Sequence, residues 1–230
     1  MAVIEYDAYK QKLLALEPTL KELEQALNIE PARKELAELQ IETEQEGFWN
    51  DVERSQRIAQ KIKKIVIMGG GYKEVNITPT AEFNFWVDPE AAKIVVDSGC
   101  EIVIVPLDAT HKAVMSLKDA DELEASGKKA AIATASFIRH RQAGYKIGQP
   151  MADIDTGPLH DALAVCAVLN EDVLEDVRET YMDIDIAGGA ADGMSICDLD
   201  KRYPDRKPNV KVALSANREI FSRMIKEIMC

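Results

Sequence analysis

The sequence predicts an α/β fold, with a mostly parallel sheet and flanking helices preceded by an N-terminal helical hairpin. From Glu5 to Lys64 the chain is charged and poor in glycine, and leucines recur at helical spacing. After Lys64 a short β-branched run ends in glycines, and strand-like and helix-like stretches follow. We therefore expect a helical segment over residues 1–63 and an α/β domain over residues 64–230.

The helical segment has the pattern of short amphipathic helices. Its leucines lie three or four residues apart, at positions 13, 16, 20, 23 and 27. Pro31 restarts the pattern because proline suits the first helical turn, and Gly47 ends it. With Asn50 or Asp51 as the cap of a further helix, the segment is a hairpin or a three-helix unit.

The α/β domain opens with a strand, a helix and a second strand, in the stretches KIVIMGGG, DPEAAKIVVDSG and EIVIVPLD. Strands joined in this way pair in parallel. Further helices are predicted in KKAAIATASFIRHR, PLHDALAVCAVLN and NREIFSRMIKEIM, and further strands in RETYMDIDI, GMSICDL and NVKVALS. We expect Asn217 or Ser215 to cap the last helix. A turn near Gly188 and Gly189 predicts an antiparallel hairpin at the edge of the sheet.

The composition argues against a nucleic-acid partner, because a formal net charge of -12 disfavours attraction to a polyanion. The cysteines are far apart and form no CxxC pair, at positions 100, 166, 197 and 230. This spacing favours reduced thiols over a zinc site or a disulfide framework. No stretch is apolar for the length of a bilayer and no leader pattern is present, so we expect a cytoplasmic protein with no membrane partner.

Two polar clusters are the candidate functional residues. Asn76, Glu82 and Asn84 lie within EVNITPTAEFNFWVDPEAA, and His160 and Asp161 lie within DTGPLHDALAV. Each cluster follows a predicted strand or begins a helix, where open parallel sheets place their ligand crevice. We expect the clusters to converge on a small ligand.

Each histidine also has a purely structural interpretation. His160 at the start of a helix is otherwise only a capping residue. His111 and His140 have no motif around them, so we expect each to lie at the surface or to be a satisfied core residue.

The motifs IVIMGGG, N-x-T-P-x-A-E-F-N, D-P-E-A-A and P-L-H-D-A-L-A-V occur in this order over residues 64–230. In order and approximate spacing they resemble the inosine-uridine type of nucleoside hydrolase. The resemblance implies hydrolysis of the N-glycosidic bond of ribonucleosides to ribose and free base. It also implies Ca²⁺ as the cofactor and a ribonucleoside as the small-molecule substrate.

The resemblance also assigns roles to residues of this chain. Asn76, Glu82 and Asn84 match positions that hold the ribose hydroxyls, and Met68 matches one that lines the sugar pocket. His160 matches a catalytic histidine that assists the leaving group, and Asp161 matches a carboxylate that binds Ca²⁺. Phe83 is a candidate for substrate binding as a wall of the pocket, and so is Trp86.

One family motif does not occur in these residues. The aspartate-rich loop of the form D-x-D-x-G-x-D-D, which supplies most of the calcium ligands and the catalytic base in the family, has no match. Ca²⁺ takes six to eight oxygen ligands, so Asp161 alone leaves the implied site incomplete. The acidic pairs Asp153/Asp155, Asp183/Asp185 and Asp198/Asp200 are alternatives, although acidic pairs are ordinary on so acidic a surface.

The N-terminal segment LKELEQALNIEPARKELAELQIETEQEGFWNDVERSQRIAQKI resembles the helical domain of bacterial class I peptide chain release factors over residues 1–63. No GGQ motif occurs, so translation termination is not implied. The alternative function is therefore a non-catalytic fusion or remnant whose helical segment binds a partner such as the ribosome. A truncated sheet would expose an edge strand, which predicts a homo-oligomer or a complementing chain. A recombined coding sequence also explains two resemblances in one chain.

Overall fold

The computed structural model describes residues 64–149 and 151–230, together with Lys34. The helices expected over residues 1–63 lie outside this range, apart from Lys34, and they remain predictions. The elements, in chain order, are β1 (Ile65–Met68), α1 (Phe83–Val87), α2 (Pro89–Val96), β2 (Ile102–Val105), α3 (Leu107–Thr110), β3 (Val114–Ser116), α4 (Leu117–Ala125), α5 (Lys129–Gly148), β4 (Thr156–Pro158), α6 (His160–Leu169), β5 (Leu174–Thr180), β6 (Met182–Ile184), β7 (Ser195–Cys197), β8 (Val210–Ala216) and α7 (Arg218–Met229).

The main sheet has four strands within the described ranges, in the order β1-β2-β8-β5. The first three strands run parallel, with Ile65 opposite Ile102 and Val103 opposite Lys211. Strand β5 runs antiparallel to β8 and forms that edge of the sheet. The prediction of an α/β fold with a mostly parallel sheet is thus confirmed.

Each face of this sheet packs against its own cluster of apolar side chains. Val103 and Val105 of β2 point towards a cluster that includes residues of α5, α6 and α7. Ile102 and Ile104 point the other way, towards Phe85 of α1 and residues of α2 and β6. Both faces of β2 are therefore buried, as expected for the uninterrupted β-branched sequence of a central parallel strand.

The predicted strand RETYMDIDI is divided in two. Thr180 ends β5 and Met182 begins β6, which pairs with β7 in a separate two-stranded sheet. The side chain of Asn209 accepts a hydrogen bond from the Met182 N–H and donates one to the Met182 carbonyl. The Asn209 amide thus satisfies both backbone hydrogen-bonding groups of Met182, so these groups do not pair with a strand of the main sheet. The chain leaves the main sheet at this residue.

The prediction of a hairpin at the edge of the main sheet is consequently wrong. Strands β6 and β7 do form an antiparallel pair around the Gly188 turn, but the pair lies apart from the main sheet. The edge position belongs to β5, which pairs with β8 over almost its full length.

Side-chain caps fix the starts of several helices. Asn217 accepts from the Ile220 N–H at the start of α7, as the sequence predicted, and Asp88 accepts from the Ala91 N–H at the start of α2. Ser116 and Asp119 form a capping box at α4. None of the helices within the described ranges has the length and apolar character needed to cross a membrane.

Candidate ribonucleoside site

A cavity of 670 Å³ opens beside the carboxyl end of β1, between the loop that follows β1 and the helices α5, α6 and α7. The predicted site residues all line it, namely Met68, Asn76, Glu82, Phe83, Asn84, His160 and Asp161. They come from two segments about 75 residues apart in the chain. The predicted convergence of the two clusters is therefore present in the structure.

Sequence reasoning missed part of the wall. Helix α5 contributes Thr134, Phe137 and Arg141, and α7 contributes Ile225 and Met229. Trp86, a candidate for the wall, is not among the lining residues. The spacing of three and four residues along α5 predicts a helical face, but it does not show that the face borders a cavity.

Glu82 holds the loop after β1 against the start of α1. Its side chain is nearly buried, with 3% of the residue exposed. One carboxylate oxygen accepts hydrogen bonds from the Gly70 N–H at 2.9 Å and from the Asn84 N–H at 3.0 Å. Burial raises the pKa of Glu82, although these backbone donors act in the opposite direction. The second oxygen makes no hydrogen bond within the described residues.

Glycine is required in the same loop for close approach of the backbone. A Cβ atom on Gly71 would lie 1.8 Å from the Glu74 carbonyl oxygen, which no side chain can accommodate. Asp108 stabilises the turn, because its carboxylate accepts hydrogen bonds from the N–H groups of Tyr72 and Lys73 at 2.7 and 2.9 Å. The loop that carries the polar cluster is thereby fixed by backbone bonds.

The two asparagines are oriented by bonds to the same loop. The Asn76 side-chain oxygen accepts from the Phe83 N–H at 2.9 Å. The Asn84 amide nitrogen donates to the Met68 carbonyl oxygen at 3.2 Å and lies 3.1 Å from the Met68 sulfur. Within the described residues, Nδ2 of Asn76 and Oδ1 of Asn84 have no hydrogen-bond partner. The arrangement offers a ligand one donor and one acceptor.

His160 begins α6 and is held from both sides. Its Nδ1 lies 2.8 Å from the Thr110 hydroxyl, and its Nε2 lies 2.5 Å from the Tyr145 hydroxyl. The Thr110 hydroxyl donates to the Leu107 carbonyl, so it accepts from Nδ1–H, and Nε2 then accepts from Tyr145. Burial, together with the positive charge of Arg141, lowers the pKa of His160 to about 3. The imidazole is therefore neutral at pH 7.

His111 differs from the prediction of a surface or satisfied core residue. Only 9% of its side chain is exposed, and its Nε2 has no hydrogen-bond partner within the described residues. Its ring lies 6.0 Å from that of Tyr145 and 5.9 Å from that of His160. Burial lowers its pKa. It lies directly after α3, in which every residue is buried. His140 is exposed, as expected.

The described residues do not fit a calcium ion by themselves. Asp161 is exposed at the start of α6, and Glu82 uses one oxygen for backbone N–H groups. No group of three His, Cys, Asp or Glu side chains suited to a metal occurs in the part of the chain that the structure describes. A calcium site needs six to eight oxygens.

The alternative acidic pairs have local partners instead. Asp183 binds Lys93 at 2.5 Å, Asp198 accepts from backbone N–H groups at 2.7 and 2.9 Å, and Asp153 accepts from the Asp155 N–H at 3.2 Å. These carboxylates stabilise turns and a helix contact. They form no metal-binding group with other acids within the described ranges.

Comparison with known proteins identifies the family. Residues 52–223 match the family model for the inosine-uridine preferring nucleoside hydrolase. The pyrimidine-specific ribonucleoside hydrolase RihB of Escherichia coli (strain K12 / DH10B) is 31% identical over 170 residues, which are 74% of this chain and 53% of that protein. This chain thus spans about half the length of that relative.

Solved structures agree in fold. A plant nucleoside hydrolase has a TM-score of 0.64 and 25% identity, over 77% of this chain and 57% of its own. A purine-preferring ribonucleoside hydrolase from Gardnerella vaginalis has a TM-score of 0.64 and 22% identity, over 78% of this chain and 58% of its own. Because the family model covers most of the chain, this protein is a member of the inosine-uridine preferring nucleoside hydrolase family.

Proposed function

We propose that the cavity binds a ribonucleoside and that the reaction it serves is hydrolysis of the N-glycosidic bond. The observation that carries this proposal is the convergence of both polar clusters on one cavity. Family membership supports the reaction class. A volume of 670 Å³ is within the usual range for small-molecule sites.

The polar side chains of the lining suit the ribose. The second oxygen of Glu82 accepts hydrogen bonds from hydroxyl groups, while Asn76 offers a donor and Asn84 an acceptor. A pair of neighbouring hydroxyls therefore finds complementary partners from one rigid loop. Met68, held against Asn84, supplies an apolar surface beside the sugar.

The apolar side chains of the lining suit the base. Phe83 and Phe137 line it and remain 47% and 53% exposed, which is unusual for such large apolar side chains. A planar base gains area burial and ring contacts against them. His160 lines the same cavity, so its neutral ring adds to this surface.

The proposal is tested first by binding. Equilibrium dialysis of the full chain with labelled uridine or inosine is expected to show saturable binding. Asn84→Ala is expected to weaken it by about tenfold, since one hydrogen bond and the Met68 contact are lost. Lys146→Ala, at an exposed position of α5 outside the cavity lining, serves as the control and is expected to bind like the unmodified protein. Equal binding by Asn84→Ala would contradict a ribonucleoside site here.

A separate prediction concerns Ca²⁺ binding. It follows from the small number of oxygen ligands that the described residues offer. Calorimetric titration of the full chain is expected to show no saturable Ca²⁺ binding below about 1 mM. Weak calcium sites have dissociation constants of up to about 1 mM, and those sites have more oxygen ligands than the described residues supply here. Base release from inosine or uridine is accordingly expected to be the same with and without added Ca²⁺. Tight binding that Asp161→Asn abolishes would instead show that this chain completes a calcium site.

A further inference from the structure

The hairpin formed by β6 and β7, residues 182–197, supports the segment that carries the first polar cluster. That segment, residues 69–87, runs from the glycines after β1 to the end of α1 and includes Asn76, Glu82 and Asn84. None of residues 182–197 belongs to the cavity lining that the described residues form. The hairpin nevertheless contacts the segment near both of its ends and in its middle. Any influence of the hairpin on a ligand in the cavity is therefore indirect.

Ser195, the first residue of β7, makes the contact at the glycine end of the segment. The residue is buried, with 5% of its surface exposed. Its hydroxyl oxygen accepts a hydrogen bond from the Gly71 N–H at 3.0 Å, and the hydroxyl donates to the Gly71 carbonyl oxygen at 2.7 Å. One side chain thus satisfies both backbone groups of Gly71, as a neighbouring strand would. A residue without a hydroxyl group would leave these two buried groups without that partner.

The glycine loop connects Ser195 to the carboxylate of Glu82. The Gly70 N–H donates to one oxygen of Glu82 at 2.9 Å, and the Gly70 carbonyl accepts from the Leu107 N–H at 3.1 Å. A Cβ atom on Gly70 would lie only 3.0 Å from the Ser195 hydroxyl oxygen, so this hydroxyl packs against Gly70 as well. The position of the hydroxyl therefore constrains the N–H group that orients Glu82.

The turn of the hairpin contacts the other end of the segment. A Cβ atom on Gly193 would lie 2.5 Å from the Cα atom of Trp86, so the turn lies directly against the backbone of α1. The Trp86 N–H donates to the Glu82 carbonyl at 2.9 Å, which places this contact on the first turn of the helix. In the middle of the segment, the Thr80 hydroxyl donates to the Ala190 carbonyl at 2.9 Å. The hairpin thus holds the start of α1 and the glycine loop together.

We propose that Ser195 is a positioning residue of the ribose site, which fixes the free oxygen of Glu82 through the glycine loop after β1. This inference rests on the proposed ribonucleoside site. Ser195 itself does not line the cavity, so it acts only through the orientation of Glu82. Its effect therefore depends on the hydroxyl groups of the sugar, because those are the groups that the free carboxylate oxygen accepts.

The test compares uridine with 2′-deoxyuridine, which lacks one of the two neighbouring hydroxyls. Calorimetry of the full chain is expected to show uridine bound about tenfold more tightly, because the deoxy ligand leaves a buried acceptor unpaired. In Ser195→Ala the ratio of the two affinities is expected to fall to about twofold, since Glu82 is no longer held in place. Ser195→Thr keeps the hydroxyl and should restore most of the ratio. A merely structural role would lower stability without changing this ratio in the folded protein.

A second pair of variants tests the hairpin without changing the hydroxyl. Gly193→Ala forces the turn away from α1 and is expected to lower the ratio as Ser195→Ala does. Gly189→Ala is the matched control in the same turn, because a Cβ atom there meets nothing within 4 Å, and it should keep the tenfold ratio. Urea unfolding at the temperature of the titration establishes that each variant is folded. Ser195→Cys, which fills the same space but is a weak donor and acceptor, replaces Ser195→Ala if that variant does not fold.

The outcomes separate this inference from the function on which it rests. If the unmodified chain binds uridine without preferring it to 2′-deoxyuridine, or if folded Ser195→Ala keeps the preference, Ser195 does not position the ribose site and only this inference fails. If the unmodified chain binds neither nucleoside, the proposed function fails and the inference fails with it.

Discussion

Asp119→Ala is expected to lower the free energy of unfolding by about 2–4 kcal/mol at neutral pH, because it removes a cap and leaves several polar groups without partners. The carboxylate, 13% exposed, accepts from the Ser116 N–H at 2.8 Å, the Ser116 hydroxyl at 2.6 Å and the Ser222 hydroxyl at 3.0 Å. It also pairs with Lys226 at 2.6 Å. These bonds join the start of α4 to α7, from which Ile225 and Met229 line the cavity. Urea unfolding monitored by circular dichroism measures the loss.

The pH dependence of this effect has a definite sign. Burial alone would raise the pKa of Asp119, but Lys226, Ser116 and Ser222 outweigh it and hold the pKa well below its usual range. A depressed folded-state pKa stabilises the protein above the unfolded pKa, near 3.8, and the contribution is lost as the pH falls below it. The difference between Asp119→Ala and the unmodified chain should therefore shrink from pH 7 to about pH 2.5.

Asp121→Ala provides the matched control for this prediction. Asp121 lies on the same helix and is paired with Arg139, but 73% of its side chain is exposed. An exposed ion pair contributes about 0–1 kcal/mol to the free energy of unfolding. Asp121→Ala should therefore lower that free energy only slightly, and its effect should not depend on the contact between α4 and α7. Equal effects of the two substitutions would show that the Asp119 network does not join α4 to α7 energetically.

Much of the fold was predictable because local patterns and tertiary structure agree. The β-branched run of β2 is buried on both faces, and that of β1 is partly buried on both, which is close to the environment that such runs indicate. Asn217 caps α7, and Pro89 lies in the first turn of α2, as those residue types predict. The two polar clusters were also found, since each lies at a recognisable strand end or helix start.

The remaining features depend on contacts distant in sequence. Asn209 directs β6 away from the main sheet, and nothing in its local sequence indicates a bond to Met182. His111 has no motif, yet its ring lies beside those of both Tyr145 and His160 because separate elements meet there. Arg141 lies within an ordinary helical stretch, so its place in the cavity wall becomes visible only when α5 is packed. The spacing of residues predicts which side chains share one face of a helix, but it does not predict which element or cavity borders that face.

Glu82→Gln is expected to separate the binding role of this residue from its structural role. Glutamine keeps the size of the side chain, and its amide oxygen still accepts from the Gly70 and Asn84 N–H groups. The other end of the amide, however, becomes a donor, so it repels the hydroxyl hydrogens that a carboxylate oxygen accepts. We expect ribose affinity to fall by at least about tenfold with little change in the free energy of unfolding. Calorimetry with ribose and urea unfolding measure the two quantities.

Glu82→Ala should affect both quantities. The buried Gly70 N–H and the partly buried Asn84 N–H lose their acceptor, which costs about 1–3 kcal/mol in the free energy of unfolding, and the loop after β1 loses its tie to α1. Glu90→Gln, at an exposed position on α2, is the control for the loss of one carboxylate. Unchanged ribose affinity in Glu82→Gln would place the sugar elsewhere in the cavity. A stable Glu82→Ala protein would mean that water replaces the carboxylate, so that the loop is held mainly by Asp108.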